Sequence, residues 1–214
     1  MASKFISIGV IAFSLGLGFI SFYLFSDITK EQKKIHVEEL TSLLFNFIIF
    51  IWLGKIVINL PIFITDPLSV LAYPSDSKAF YIATIVIALS LLHKSRRRNL
   101  QITELLEPFI HVFLISSFVF EFMQLVVADN PFALGYLILS GILVSLFFFI
   151  REHTSSRTLF IVVVTSWSVG MLILAFNQPF VTVFGYIMSS WFIGLFFVTC
   201  MATYIYQLKK RATI

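Results

Sequence analysis

Charge is scarce in this chain: only 12% of its 214 residues are Asp, Glu, Lys or Arg, against roughly 25% in a typical soluble domain. An ordinary soluble fold is excluded by that shortage. Cysteine is nearly absent. Cys200 stands alone inside an apolar run, so no disulfide can form within the chain, and it reads as a packing residue. Motifs of soluble-enzyme chemistry are missing too: no phosphate-cradling glycine loop, no paired-histidine metal helix and no nucleophile elbow. His36, His93 and His153 fall between apolar segments with no metal-ligand spacing, so neither a metal nor a cofactor is expected. The formal charge of +4 is dispersed among connections, which excludes a nucleic-acid partner. Internal repeats and low-complexity tracts are also lacking.

What the chain does have is apolar sequence. Hydrophobic residues make up 59% of it, and the mean hydropathy is +0.98. A spanning helix needs about 20 residues, so this length allows at most about seven or eight spans. Seven apolar segments stand out: Phe5–Phe25, Leu40–Leu60, Ala79–Leu92, Phe109–Val127, Phe132–Ile150, Leu159–Phe176 and Val183–Tyr206. The third is short, so its helix is expected to start earlier, to tilt, or to pack behind a re-entrant stretch. Only Lys4 precedes the first segment and no clean small-x-small cleavage site follows it. It therefore reads as a retained span rather than a signal peptide.

Positive charge orients the segments. Lys30, Lys33, Lys34, Lys94, Arg96, Arg97, Arg98, Arg151, Arg157, Lys209, Lys210 and Arg211 all fall on one side of an alternating path, and only Lys4 and Lys78 on the other. Basic residues favour the cytoplasmic face. The expected fold is an all-α integral membrane protein, a single polytopic domain over residues 1–214. It has seven transmembrane helices, with the N-terminus outside and the C-terminus cytoplasmic. The connection from Pro61 to Lys78 mixes turn formers (Asp66-Pro67, Tyr73-Pro74-Ser75-Asp76) with apolar residues, and is expected to lie as a loop on the outer surface. Trp52, Trp191, Tyr73 and Tyr206 are candidate interfacial anchors. Asp66, Asp76 and Asp129 read as turn formers.

An ionisable group in hydrocarbon costs a few kcal/mol on the mildest scale, so each needs a partner or a purpose. Three occur within the apolar segments: Lys55, His111 and Glu121. Lys55 and Glu121 lie at similar depth in the outer half and could neutralise each other, with Gln124 one turn beyond Glu121 on the same side. Three readings stay open. The pair could be a buried ion pair that sets helix register, or part of a polar pocket for a lipid headgroup or peptide. Alternatively, Lys55 snorkels to the interface alone. His111, just inside the cytoplasmic end of its segment, is expected to be hydrogen-bonded rather than catalytic. Ser116, Ser117, Ser140, Ser145, Thr165 and Ser168 are expected to bond back to their own helix or link helices.

The order of features resembles the prolipoprotein diacylglyceryl transferases, seven-span enzymes that transfer diacylglycerol from phosphatidylglycerol to the lipobox cysteine of a secreted prelipoprotein. The resemblance rests on Ile8-Gly9 with Ile11-Ala12, on His36–Leu40 leading to Gly54-Lys55-Ile56, and on Asp66-Pro67-Leu68. It continues through the basic turn Lys94–Arg98, Gln101-Ile102-Thr103-Glu104 with Pro108, Asn130-Pro131 with Gly141, and Phe176-Asn177-Gln178-Pro179 before a basic tail. It covers most of the chain as weak matches in the right order.

Departures from the family pattern fall where its chemistry sits. Lys78-Ala79-Phe80 replaces the histidine and two glycines that open the family's third span. Phe118, Phe120-Glu121 and Gln124 replace the arginine, glycine-asparagine and asparagine of its fourth. Asn130 stands for the family's histidine before the fifth-span proline, Gly135-Tyr136 falls at its tyrosine, and Asn177 stands for an arginine. The large head domain shrinks to Ala128-Asp129-Asn130-Pro131. Holding an anionic phospholipid wants arginine forks, and activating a thiol wants a base near its pKa of about 8.5. The resemblance therefore implies a bacterial cytoplasmic membrane protein with the fold kept and the transfer chemistry lost. The leading expectation is a catalytically inactive subunit of a membrane complex that interacts with phospholipid or with a lipoprotein or other membrane protein. The alternatives are a divergent transferase, with Lys78 or Glu121 as candidate catalytic groups, and a small transporter or channel component.

Overall fold

A computed structural model describes residues 2–72, 77–98 and 102–212. Tyr73-Pro74-Ser75-Asp76 and Gln101 lie outside the described residues, as do the side chains of Cys200, Tyr206, Lys209, Lys210 and Arg211. Among the described residues the order is α1 (Ala2–Phe25), α2 (Lys30–Ile58), α3 (Leu60–Thr65), α4 (Pro67–Ala72), α5 (Ser77–Arg98), α6 (Ile102–Val126), α7 (Ala133–Ile150) and α8 (Ser156–Asn177). A two-stranded sheet, β1 (Val181–Val183) and β2 (Tyr186–Met188), follows, and then α9 (Ser190–Ala212).

Five stretches are long and apolar enough to cross a membrane: Ser7–Phe25, Lys30–Ile58, Thr103–Val126, Ala133–Ile150 and Ser156–Asn177. The apolar parts of α5 and α9, Ser77–Leu91 and Ser190–Thr199, are shorter. Large apolar side chains are exposed along these helices, among them Phe149 at 79% and Phe176 at 91%. Water would make such surfaces a liability, whereas lipid tails make them ordinary. This is a helical protein with membrane character.

Local chemistry sets the helix ends. Thr29 and Gln32 form a capping box at the start of α2, with the Gln32 N–H donating to Thr29 Oγ1 and the Thr29 N–H donating to Gln32 Oε1, both at 3.3 Å. The 29 residues of α2 rise about 43 Å, more than the ~30 Å of hydrocarbon, so its charged first turns extend beyond the apolar part. Asn59 ends it, donating from Nδ2 to the Lys55 carbonyl at 2.9 Å. Asp66 Oδ1 then accepts the Ser69 N–H at 3.1 Å and starts α4.

Three expectations need correction. The Pro61–Lys78 connection contains two short helices, α3 and α4, rather than a loop. Proline is compatible with a first helical turn, because the N–H it lacks would be unbonded there anyway, and Pro61 and Pro67 both stand at such starts. The third segment starts earlier, as expected, at Ser77, and lengthens more at its other end, where α5 runs helical through Lys94–Arg98, so the expected basic turn is helix. No proline or glycine interrupts it, and cations suit a helix C-terminus.

The last segment does not begin as helix, and the protein is not strictly all-α. Val181, Thr182 and Val183 are β-branched and form β1. Phe184 (φ 49°) and Gly185 (φ 82°) make the two-residue, positive-φ connection to β2 that suits the twist of a hairpin.

Contacts cluster into two compact units, Met1–Ile28 with Thr103–Phe184 and Met188–Ile214, and Thr29–Ile102 with Gly185–Ile187. In the first, α6, α7 and α8 share a core of Ile110, Leu114, Leu143, Phe147, Leu159 and Val163. In the same unit α1 meets α6 where Gly18 faces Ser116. In the second, α2 and α5 pack through Ile51, Gly54, Ala79 and Ala83, flanked by Phe47 and Phe80 at 5.3 Å between ring centroids.

Candidate functional site

Within the first unit, polar side chains gather around one cavity of about 30 Å³. Glu121 and Ser117 come from α6, four residues apart and so on one face. Tyr136 and Ser140 come from α7 at the same spacing, and Thr182 comes from β1. Apolar walls are supplied by Phe113, Phe120, Leu139, Trp167, Met171 and Phe184, among others. Glu121 is only 7% exposed.

Two of the four hydroxyl hydrogens at this site are committed elsewhere. Tyr136 Oη donates to the Phe180 carbonyl at 3.1 Å and accepts the Thr182 N–H at 3.2 Å, tying α7 to the first strand. Ser140 Oγ donates to the Leu137 carbonyl at 3.0 Å. What these two oxygens can offer the cavity is therefore lone pairs. Phe184, in its positive-φ conformation, is held against Phe113 and Phe120 at 6.0 and 5.3 Å between centroids. A non-glycine residue in that region is costly, and it persists only when packing determines it.

A second buried group lies in the same unit. His111 is 2% exposed and hydrogen-bonded, as expected for it. Its Nε2 is 3.0 Å from Ser21 Oγ, and the rings of Phe22, Phe147 and Phe148 surround it edge-on at 5.4–5.8 Å. Arg151 sits over the Phe148 ring at 5.2 Å. It pairs with Asp27 and donates to the Phe25 carbonyl at 3.2 Å, closing the C-terminal end of α1. Among the described residues its contacts are thus one hydroxyl and a cage of aromatic rings.

The other candidates are dispersed. Lys55 is buried at 6% exposure in α2 of the second unit, whereas Glu121, the partner expected for it, belongs to the first. Lys78 is exposed at the start of α5, also in the second unit. Gln124 shares α6 with Glu121 but is not among the residues described as lining the cavity; its carbonyl accepts the Asn130 N–H at 3.1 Å. Ser140, Ser145 and Ser168 bond back to their own helices. Ser116 Oγ and Thr165 Oγ1 are buried with no partner among the described residues. Asp66 and Asp129 do shape turns, Asp129 with φ 47°.

Thr182 and Phe184 were not legible as site residues, because both lie in a stretch that reads as the edge of a spanning helix. Tyr136 stood out only as the place of the family's tyrosine. Its spacing to Ser140 along an otherwise apolar segment was the available signal. Comparison of the chain with family models, with curated proteins and with solved structures finds no match.

Proposed function

We propose that this is a seven-span protein of the bacterial cytoplasmic membrane, a catalytically inactive relative of the prolipoprotein diacylglyceryl transferases. In this reading it serves as a lipid- or lipoprotein-interacting subunit of a membrane complex. The observation that carries the proposal is the character of the α6 site. Where the family places arginine, glycine and asparagine, this helix has Phe118, Phe120 and a buried carboxylate, Glu121, and no described lining residue is basic. A phosphate is held best by cationic or N–H donors, and this lining offers a buried carboxylate in their place. The ordered weak matches along the chain support the kinship, and the many lipid-exposed apolar side chains support a role carried out within the bilayer.

The direct test is to make this chain the sole candidate transferase in cells depleted of their own, and to follow prelipoprotein by mass. No diacylglyceryl adduct is expected. A photoreactive residue at Phe118, 37% exposed on α6, should meanwhile cross-link to phospholipid or to a lipoprotein precursor. Adduct formation at a rate that sustains growth would promote the divergent-transferase reading, with Lys78 the first residue to replace. Failure to cross-link either species would remove the interaction part of the proposal.

Topology follows from the charge distribution and is tested separately. In a Cys200→Ser background, single cysteines at Ser75 and Asp129 should react with a membrane-impermeant thiol reagent from outside. Cysteines at Ser95, Ser155 and Thr213 should react only after the membrane is opened. Labelling at Ser95 from outside would reverse the assignment, because Lys94, Arg96, Arg97 and Arg98 flank it.

A further inference from the structure

We infer that the Glu121 cavity is a binding site for a dehydrated, sodium-sized monovalent cation. The polar donors facing it are oxygens drawn from three elements: the Glu121 carboxylate and Ser117 of α6, Tyr136 and Ser140 of α7, and Thr182 of β1. The hydrogen of Ser140 is spent on the Leu137 carbonyl, so its oxygen faces the cavity as an acceptor, while Tyr136 donates to the Phe180 carbonyl and already accepts the Thr182 N–H, which leaves it one lone pair at most. Ser117 and Thr182 carry hydroxyls that can turn a lone pair inward. A lining of this kind suits a hard cation, which takes oxygen ligands.

Charge and size narrow the class. Glu121 is 93% buried, being 7% exposed, and among the described residues that line the cavity no side chain carries a positive charge. An ionised carboxylate buried in this way needs a compensating charge. One carboxylate balances one monovalent ion and leaves a divalent ion under-neutralised. The cavity of about 30 Å³ admits roughly two water-sized spheres. That is room for a small bare ion with one water and too little for a lipid ammonium headgroup. Intramembrane carboxylates of this kind often mark ion sites. The inference concerns a different ligand from the proposed lipid or lipoprotein partner and stands independently of it.

The test is equilibrium binding of radioactive sodium to the purified full-length protein in detergent, with choline as the background cation. Saturable binding of about one ion per chain is expected, displaced by unlabelled sodium and not by choline. Glu121→Gln should abolish it. Glu107→Gln, which removes a carboxylate bonded to Ser156 outside the cavity lining, should leave it unchanged. Should Glu121→Gln not fold, Ser117→Ala decides: loss of a direct oxygen ligand should weaken binding about tenfold or more. No saturable sodium binding by the wild type, retained binding in folded Glu121→Gln, or unchanged affinity in Ser117→Ala would each overturn the inference.

Discussion

Leucine at Gly18 should leave little folded protein, while leucine two residues earlier, at Gly16, should be tolerated. A Cβ at Gly18 would run into Ser116 Oγ and would stand 2.8 Å from the Val112 carbonyl oxygen. The serine hydroxyl can rotate away, but the carbonyl belongs to the hydrogen-bonded backbone of α6 and cannot. Even alanine should therefore cost about 1–3 kcal/mol, the usual range for overpacking a filled contact. Leucine would have to separate α1 from α6 and with them Ser21 from His111, 3.0 Å apart, and Phe22 from the same ring. Gly16 is the internal control, since a Cβ there meets nothing within 4 Å. Replacing it with leucine should be neutral, or stabilising by up to about 1 kcal/mol through helix propensity. The measurement is monodisperse elution in detergent after graded heating. A Gly18→Leu protein that melts with the wild type would refute the close α1–α6 approach.

The second large effect is expected at Gly54, in the other unit. Its missing side chain lets α2 approach α5 until an added Cβ would lie 3.2 Å from the Ala79 carbonyl oxygen and 3.4 Å from both Ala79 Cα and Ile82 Cβ. Ala79 and Ala83, one turn apart, are both 0% exposed, so α5 presents a small-residue stripe to that contact. In lipid the drive for two helices to associate is close packing and not escape from water, which is why small residues mark the seam. Alanine at Gly54 should be nearly accommodated by a shift of a few tenths of an ångström. Leucine should not be, and should cost more than the ~1–3 kcal/mol typical of overpacking. Val57→Leu, at a position 68% exposed, is the matched control and should melt as the wild type does. Limited proteolysis between α2 and α5 reports the same event: Gly54→Leu should be cut faster in the 59–77 connection, and equal rates would argue against the seam.

Within the candidate site, legibility was uneven. Glu121 announced itself, because a carboxylate inside an apolar run is rare enough to need a reason. Ser117 and Ser140 could be read as polar residues within helices, but not as neighbours, since α6 and α7 meet through tertiary packing. Thr182 belonged to a short β-branched run too brief to compete with the apolar segment around it. The hairpin turn gave no warning either, because Phe184-Gly185 lacks the Asn-Gly or Asp-Gly pair that usually marks such a connection.

Hydropathy and charge alone determined that the chain is built of apolar helices suited to a membrane, because a polar group in hydrocarbon is costly wherever it stands; several helix ends, among them Lys30, Arg98 and Ile102, lie well outside the apolar segments. Which face of each helix turns inward was decided only by the tertiary structure. In α7 the buried stripe is Ala133, Tyr136, Ser140, Leu143 and Phe147, while Ile138, Ile142 and Phe149 on the opposite face are exposed. A soluble helix would have advertised that difference as polar against apolar. Here the lipid-facing side is as apolar as the packed side, or more so, and the pattern along the chain carries no direction. The same reason separates Gly18 from Gly16 and brings Glu121 beside Tyr136: these are facts of packing, settled by which surfaces fit.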